Sequence, residues 1–377
     1  MARRKSHLDG PVRRPALVLG VALTATMALA ACGGGSSTTT STASAGASSS
    51  AAAGGNIAVS LITKDSTNPF FVAMQESAKK NCPTAGAEIT VASGKEEGDD
   101  QGQLDAIENA ISAKQKGILI TPMSTGVNDA IEKARTAGLF VIALDTPPDP
   151  ADTVDITFAT DNRKAGNLIG KYTAAALGGK KAVIAGLNIF DDKIVSVDYN
   201  RNQGFFEGMG IDVADGKKIG DEAPSGKYSG GDYEIVGNAA TGANEEGGQR
   251  EMEKLLARNK DINVVYTINE PTAAGAANAM EAAGKKPEDY VLVSVDGGKA
   301  GVEDVKGGVI DATSQQYPGK MVELGCKAIV GIAKGGAKPT TSPGLDFFDT
   351  GVTLIAKDPA TGVESKDPKY GLENAWG

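Results

Sequence analysis

From residue 56 onward, short apolar runs alternate with longer stretches whose apolar positions recur every three or four residues. Residues 56–62, 89–92, 117–121 and 140–144 read as strands. Between them, 70–81 has helical spacing with Phe71, Met74 and Ala78 on one face. Residues 101–114 repeat that spacing with Leu104, Ile107 and Ile111, and 127–137 forms a third helix. After Asp161 the alternation starts afresh. Helices are predicted at 164–176, 201–209, 245–258 and 272–283, and strands at 182–187, 233–238, 264–268 and 291–295. Repeated βα units imply right-handed crossovers and a parallel sheet covered by helices on both faces. Two such series predict an α/β protein of two Rossmann-like lobes.

The first 55 residues follow another pattern. Arg3, Arg4, Lys5, Arg13 and Arg14 precede a largely apolar run, 16–31, which is 16 residues long. That is shorter than the ~20 a spanning helix needs, so residues 1–31 read as an export signal. The run ends in Leu29-Ala30-Ala31-Cys32, which resembles the lipobox of bacterial lipoproteins and implies cleavage before Cys32 and diacylation of its thiol. An ordinary signal cut after Ala31 is the plainer alternative. Residues 33–55 are only Gly, Ser, Thr and Ala, without charge or anything to bury, so 32–55 reads as a lipid-bearing Cys and a flexible tether. The localisation expected is the outer face of a bacterial cytoplasmic membrane.

Composition narrows the function. The 377 residues include 38 Lys+Arg and 47 Asp+Glu, a formal charge of −9, and removing 1–31 leaves a net −13. An acidic body without a basic tract argues against nucleic-acid binding. The single histidine, His7, lies in the signal. A mature chain without histidine has no Ser-His-Asp triad, His-ligated metal or His general base. No metal and no cofactor are expected. Cys82 and Cys326 remain in the body. Two cysteines in an exported chain can pair, and two buried free thiols are the alternative.

Polar residues concentrate where strands end. Lys64 and Asp65 follow the first strand, Asp145 follows 140–144, Asn269-Glu270 follows 264–268, and Asp296 follows 291–295. In open α/β sheets ligands bind outside the carboxyl ends of the strands, so two facing lobes would line a cleft. Carboxylates, amides and a guanidinium suit a polyol, because a hydroxyl both donates and accepts. Phosphate recognition calls for a glycine-rich cradle, and neither G-x-x-x-x-G-K-[ST] nor G-x-G-x-x-G occurs.

Six short motifs then occur in order: Asn68-Pro69-Phe70-Phe71, Ile142-Ala-Leu-Asp145, Arg201-x-x-Gly204-Phe205, Asn269-Glu270, Ser294-Val-Asp296-Gly297 and Gln316-Tyr317-Pro318. Together they resemble the ribose-type sugar-binding proteins of bacterial ABC importers, which have the type I periplasmic binding protein fold. The resemblance runs from Ile57 to the C-terminus. Leu61-Ile-Thr-Lys64, Leu345-Asp-Phe-Phe-Asp-Thr-Gly-Val352 and Gly362-Val-Glu-Ser365 look like the fructose-binding branch. The resemblance implies Asn68, Phe70 and Phe71 on the ligand surface of the first lobe and Asp145 holding ring hydroxyls. Arg201, Asn269, Asp296 and Gln316 would close from the second lobe and the hinge. Two positions depart: Lys64 stands where ribose binders have Ser, and Thr146 where they have Arg. Lys64 and Asp65 would supply the missing contacts. Ala239, Ala240 and Thr241 stand where ribose binders place a second-lobe aromatic, which points to a differently shaped sugar.

On this scheme the chain crosses between lobes near Thr160-Asp161, Gln316-Tyr317 and Phe348-Thr350, a three-strand hinge. The first lobe holds 56–160 plus 317–348, with both body cysteines, and the second 161–316 plus 349–377. The function expected is capture of a monosaccharide, foremost fructose, by a monomer that closes and presents it to ABC permease subunits, with no bond made or broken. The alternative is a sugar or autoinducer sensor that docks on a membrane receptor. An enzyme reading rests only on Ser77-x-x-Lys80, without its usual partner motifs. Plainer readings stand beside each site residue. Asn68-Pro69 also suits a helix start, the Phe rings a core, Asp145 and Asp296 turns, and Arg201 a solvated helix.

Overall fold

The computed structural model describes residues 56–377. The signal at 1–31, Cys32 and the tether to 55 lie outside the described residues. The first series comprises β1 (Ile57–Thr63), α1 (Pro69–Ala85), β2 (Ala87–Ser93), α2 (Asp100–Ser112), β3 (Gly117–Ile120), α3 (Asn128–Thr136), β4 (Phe140–Leu144) and β5 (Ile156–Ala159). The second comprises α4 (Asn162–Ala176), β6 (Ala182–Asn188), α5 (Ser196–Met209), β7 (Ser225–Tyr228), β8 (Gly231–Ala240), α6 (Glu245–Arg258), β9 (Val264–Thr267), α7 (Glu270–Ala282), β10 (Val291–Asp296), α8 (Lys299–Gly307) and β11 (Ala312–Gln315). The chain ends with α9 (Pro318–Ala333), β12 (Phe348–Asp349), β13 (Thr353–Ala356) and α10 (Pro368–Asn374).

These strands make two sheets. One runs β12-β5-β4-β3-β1-β2, and the other β13-β11-β10-β9-β6-β8-β7. All pairs in the first are parallel. In the second only β13 and β7, the two edges, run antiparallel to their neighbours. The central strands Gly117–Ile120 and Phe140–Leu144 are buried along their whole length, as a parallel strand with helices on both faces requires. The expected α/β architecture of two Rossmann-like lobes is the one the chain adopts. It passes between the sheets after β5, after β11 and after β12. Asp349, which the sequence assigned to the second lobe, is the last residue of β12 and pairs with Ala159 in the first sheet.

Two helices differ from their expected bounds for physical reasons. The helix expected over 70–81 runs to Ala85 through Pro83. Gly86, in left-handed backbone at φ 92°, closes it by donating to Cys82 O and Pro83 O. The helix expected to start at Arg201 starts at Ser196 and is buried on almost every side, so it has no polar face to mark its outline. It lies against α4 through facing glycines, Gly166 and Gly170 on α4 with Gly204 and Gly208 on α5. A Cβ at Gly166 would fall 2.1 Å from Arg201 O, and one at Gly204 2.1 Å from Arg163 O. That approach fixes the depth of α5, and with it the place of Arg201. No helix among the described residues is long and apolar enough to cross a membrane.

Candidate functional site

The site is built from the carboxyl ends of β4 and β10 and from one side chain of α5. Asp145 follows β4 and Asp296 ends β10, and both hold positive φ, 64° and 143°. Non-glycine residues take such backbone at a cost of about 1–3 kcal/mol, and they cluster where function over-determines the chain. Arg201 reaches between the two carboxylates. Its Nη2 lies 3.8 Å from Asp145 Oδ1, its Nη1 lies 3.9 Å from Asp296 Oδ1, and all three side chains are at most 5% exposed.

Those spacings are too long for direct hydrogen bonds. Arg201 is instead oriented from behind: its Nε donates to Asn162 Oδ1 at 2.7 Å and its Nη1 to Ile268 O at 2.9 Å. Asn162, the first residue of α4, also donates to Asp145 O and Thr160 O, so one amide ties the crossing segment to both partners of the ion pair. Gln316, on the second crossing, donates to Asp296 Oδ1 at 2.8 Å. Asp145 Oδ1 and Gln316 Oε1 are buried without a hydrogen-bond partner. Buried acceptors without donors are costly, and one of them, Asp145 Oδ1, faces a guanidinium that has donors to spare.

The electrostatics are acidic. Burial pushes the Asp296 carboxyl up, and Arg201 pulls it back only in part. Glu270, on the first turn of α7, is pushed up by burial and then by Asp296 beside it. It accepts from Gly297 N at 2.8 Å, Gly298 N at 3.0 Å and Thr313 Oγ1 at 2.8 Å, which holds the turn after Asp296. In the first lobe Lys64 is 2% exposed and pairs with Glu97 at 3.0 Å. Burial pushes Glu97 up, against the pull of Lys64. Asp198 grips Ile189 N and Phe190 N with its carboxylate, and burial pushes it up to about 6. Across the lobes, Lys193 bonds Gly98 O and Asp100, Ser196 donates to Pro147 O, and Lys217 pairs with Asp149 at 2.8 Å.

Asp145, Arg201, Asp296 and Gln316 are therefore brought together, with Lys64 held in its pair. Other residues that the sequence offered as ligand contacts carry local duties. Asp65 Oδ1 accepts from Thr67 and Asn68 and shapes the turn after β1. Asn68 caps α1 through Phe70 N, and Asn269 caps α7 through Thr272 N while donating to Ala243 O. Phe70 and Phe71 pack into the first-lobe core at 3% and 4% exposure, with Phe70 edge-on to Phe71 and to Trp376. Cys82 and Cys326 are joined as a disulfide with Cα atoms 5.5 Å apart. Among the described residues no group of three His, Cys, Asp or Glu is arranged to hold a metal ion. Asn162 and Glu97 were missed. Asn162 looks like an ordinary helix start after Asp161, and Glu97 sits in a run of charges, 95–100, that reads as solvated.

The profile of the periplasmic binding protein domain family matches residues 57–337. The chain belongs to this family. As a periplasmic binding protein it is a binding protein and not an enzyme. It is similar to a ribose import binding protein of Bacillus subtilis, 26% identical over 278 residues, covering 74% of this chain and 82% of the relative. It is also similar to a D-apiose import binding protein of Actinobacillus succinogenes, 29% identical over 263 residues, covering 69% and 77%. Among solved structures, an ABC transporter solute binding protein of Agrobacterium vitis bound with α-D-tagatopyranose superposes with a TM-score of 0.69. It is 21% identical and covers 85% of this chain and all of that one, a likeness of fold.

Proposed function

We propose that this periplasmic binding protein is an exported, lipid-anchored solute-binding protein that captures a monosaccharide, foremost fructose, and hands it to an ABC permease. The observation that carries the reading is the arrangement at Arg201. Two carboxylates stand 3.8 and 3.9 Å from one guanidinium, with Asp145 Oδ1 unpartnered in the pair and Gln316 Oε1 unpartnered on the amide that holds Asp296. A hydroxyl beside such a pair can donate to a carboxylate and accept from the guanidinium, and adjacent ring hydroxyls supply several at once. Relatives named for ribose and apiose import support the sugar class. Lys64 and Thr146, which depart from the ribose pattern, and the fructose-like stretches 61–64, 345–352 and 362–365 support fructose within it. In this reading Cys32 bears the lipid. The lobes, joined by the crossings after β5, β11 and β12, close on the sugar as a monomer.

The test is a melting screen of the purified protein against fructose, ribose, allose, apiose, mannose and inositol. A sugar at ~100 times its dissociation constant adds about 2.7 kcal/mol, a rise of several degrees. Fructose is expected to give the largest rise, and Asp145→Ala and Arg201→Ala to abolish it. No rise with any sugar overturns the assignment.

A further inference from the structure

Trp376 is the chain's single tryptophan and lies beyond the span that the family profile matches. The second lobe holds it in place: Lys299 N donates to its carbonyl at 2.9 Å. Its ring lies so close to Gly298 that a Cβ there would approach Cη2 to 3.0 Å. Its indole N–H donates to Gln316 O at 3.0 Å, where the chain crosses between the lobes. The ring then meets Phe70 of the first lobe edge-on, centroids 5.4 Å apart at 82°.

Two of these contacts bear on the Asp296–Gln316 pair. Gln316 is the residue whose side chain holds Asp296, and Gly298 is two residues beyond that carboxylate. We propose that Trp376 is a positioning residue of the binding site, which ties the second lobe to the first by seating on Phe70 while fixing the backbone that carries Gln316. The inference rests on the reading of the cleft as a sugar site. It assigns to the C-terminal segment a task in retaining ligand that the cleft residues do not perform. The aromatic edge supplies the geometry. An edge-to-face pair has a preferred angle and spacing, so it favours one arrangement of the lobes over its neighbours.

Because no other tryptophan is present, emission excited beyond the tyrosine absorption band reports this residue alone. The sugar giving the largest melting rise in the screen is used as probe. It is expected to shift the emission of the wild-type chain. Trp376→Ala is expected to weaken affinity about tenfold, mostly through faster release, and Trp376→Phe to recover most of the loss. Phe70→Leu, which keeps the reporter, is expected to change the emission of the ligand-free protein. Should Trp376→Ala fail to fold, Trp376→Phe is compared with Trp376→Leu, the aromatic variant binding more tightly. Equal affinity in wild type and Trp376→Ala, or emission indifferent to both sugar and Phe70→Leu, overturns the proposal. If no sugar moves the melting temperature while Phe70→Leu still alters emission, the sugar assignment fails and the contact between the lobes stands.

Discussion

At the scale of single residues, the site concentrates carboxyl groups where water is excluded. Glu270 and Asp296 both titrate above their ordinary values of 4.5 and 3.8, burial being the main cause in each. The folded state therefore keeps these protons at pH values where the unfolded chain has released them. Their contribution is most favourable below the unfolded values and is lost as pH rises through the folded ones. Asp198 and Asp311, each pushed up to about 6 by burial, act with the same sign. Carboxylates held low at the surface, such as Asp232 beside Lys227, exert the opposite effect only in more acidic solution. The melting temperature of the ligand-free protein is expected to fall from pH 5 to pH 8. A tenfold difference in proton affinity between the folded and unfolded chain is worth about 1.4 kcal/mol. Glu270→Gln, which keeps the shape without the ionisation, should flatten part of the fall. A pH-melting series on both proteins checks this, and identical slopes would rule it out.

Among the elements, the α4–α5 contact has the least room for change. With Gly166, Gly170, Gly204 and Gly208 facing opposing backbone, an added methyl at Gly204 meets Arg163 O at 2.1 Å and must push the helices apart. Gly204→Ala is expected to cost about 1–3 kcal/mol, as overpacking does, and to weaken sugar binding as well by displacing Arg201 from Asn162. Denaturation midpoints and affinity measured together test it, and full binding at reduced stability would separate the two effects. This contact also shows where legibility ended. The period-3.6 stripes of α2 and α3 were plain because one side of each meets water. The first five residues of α5 were not, because nearly every side is buried. Short strands such as Ile156–Ala159 and Phe348–Asp349 carry too few positions for any period and exist because a sheet edge accepts them. Asp145, Arg201, Asp296 and Gln316 stood out as polar residues at strand ends and in ordered motifs. Asn162 and Glu97 work through partners distant in sequence, which no local pattern announces.

In the whole molecule, the lobes are joined by three crossings, and the first lobe is stapled within itself. The Cys82–Cys326 disulfide spans 244 residues of sequence yet links α1 to its neighbour α9 inside one core. Closing so long a loop restricts the unfolded chain, and Cys82→Ala with Cys326→Ala is expected to lower stability by about 2–5 kcal/mol. Sugar affinity should be retained, since both cysteines lie in the first-lobe core. Denaturation and calorimetry on the double variant decide the matter, and a large loss of affinity would contradict it.

The same wiring sets an order of assembly. The first sheet needs β12 on the edge of β5, and α1 needs α9, yet both late pieces follow the entire second lobe in the chain. A polypeptide emerging amino-terminus first must therefore hold its opening strands unfinished while residues 160–317 appear, an interval in which exposed edges invite misassembly. During that interval Cys82 is a thiol without its partner, and the edge of Ile156–Ala159 is bare. A chain halted before Pro318 is thus two incomplete lobes rather than one finished and one missing.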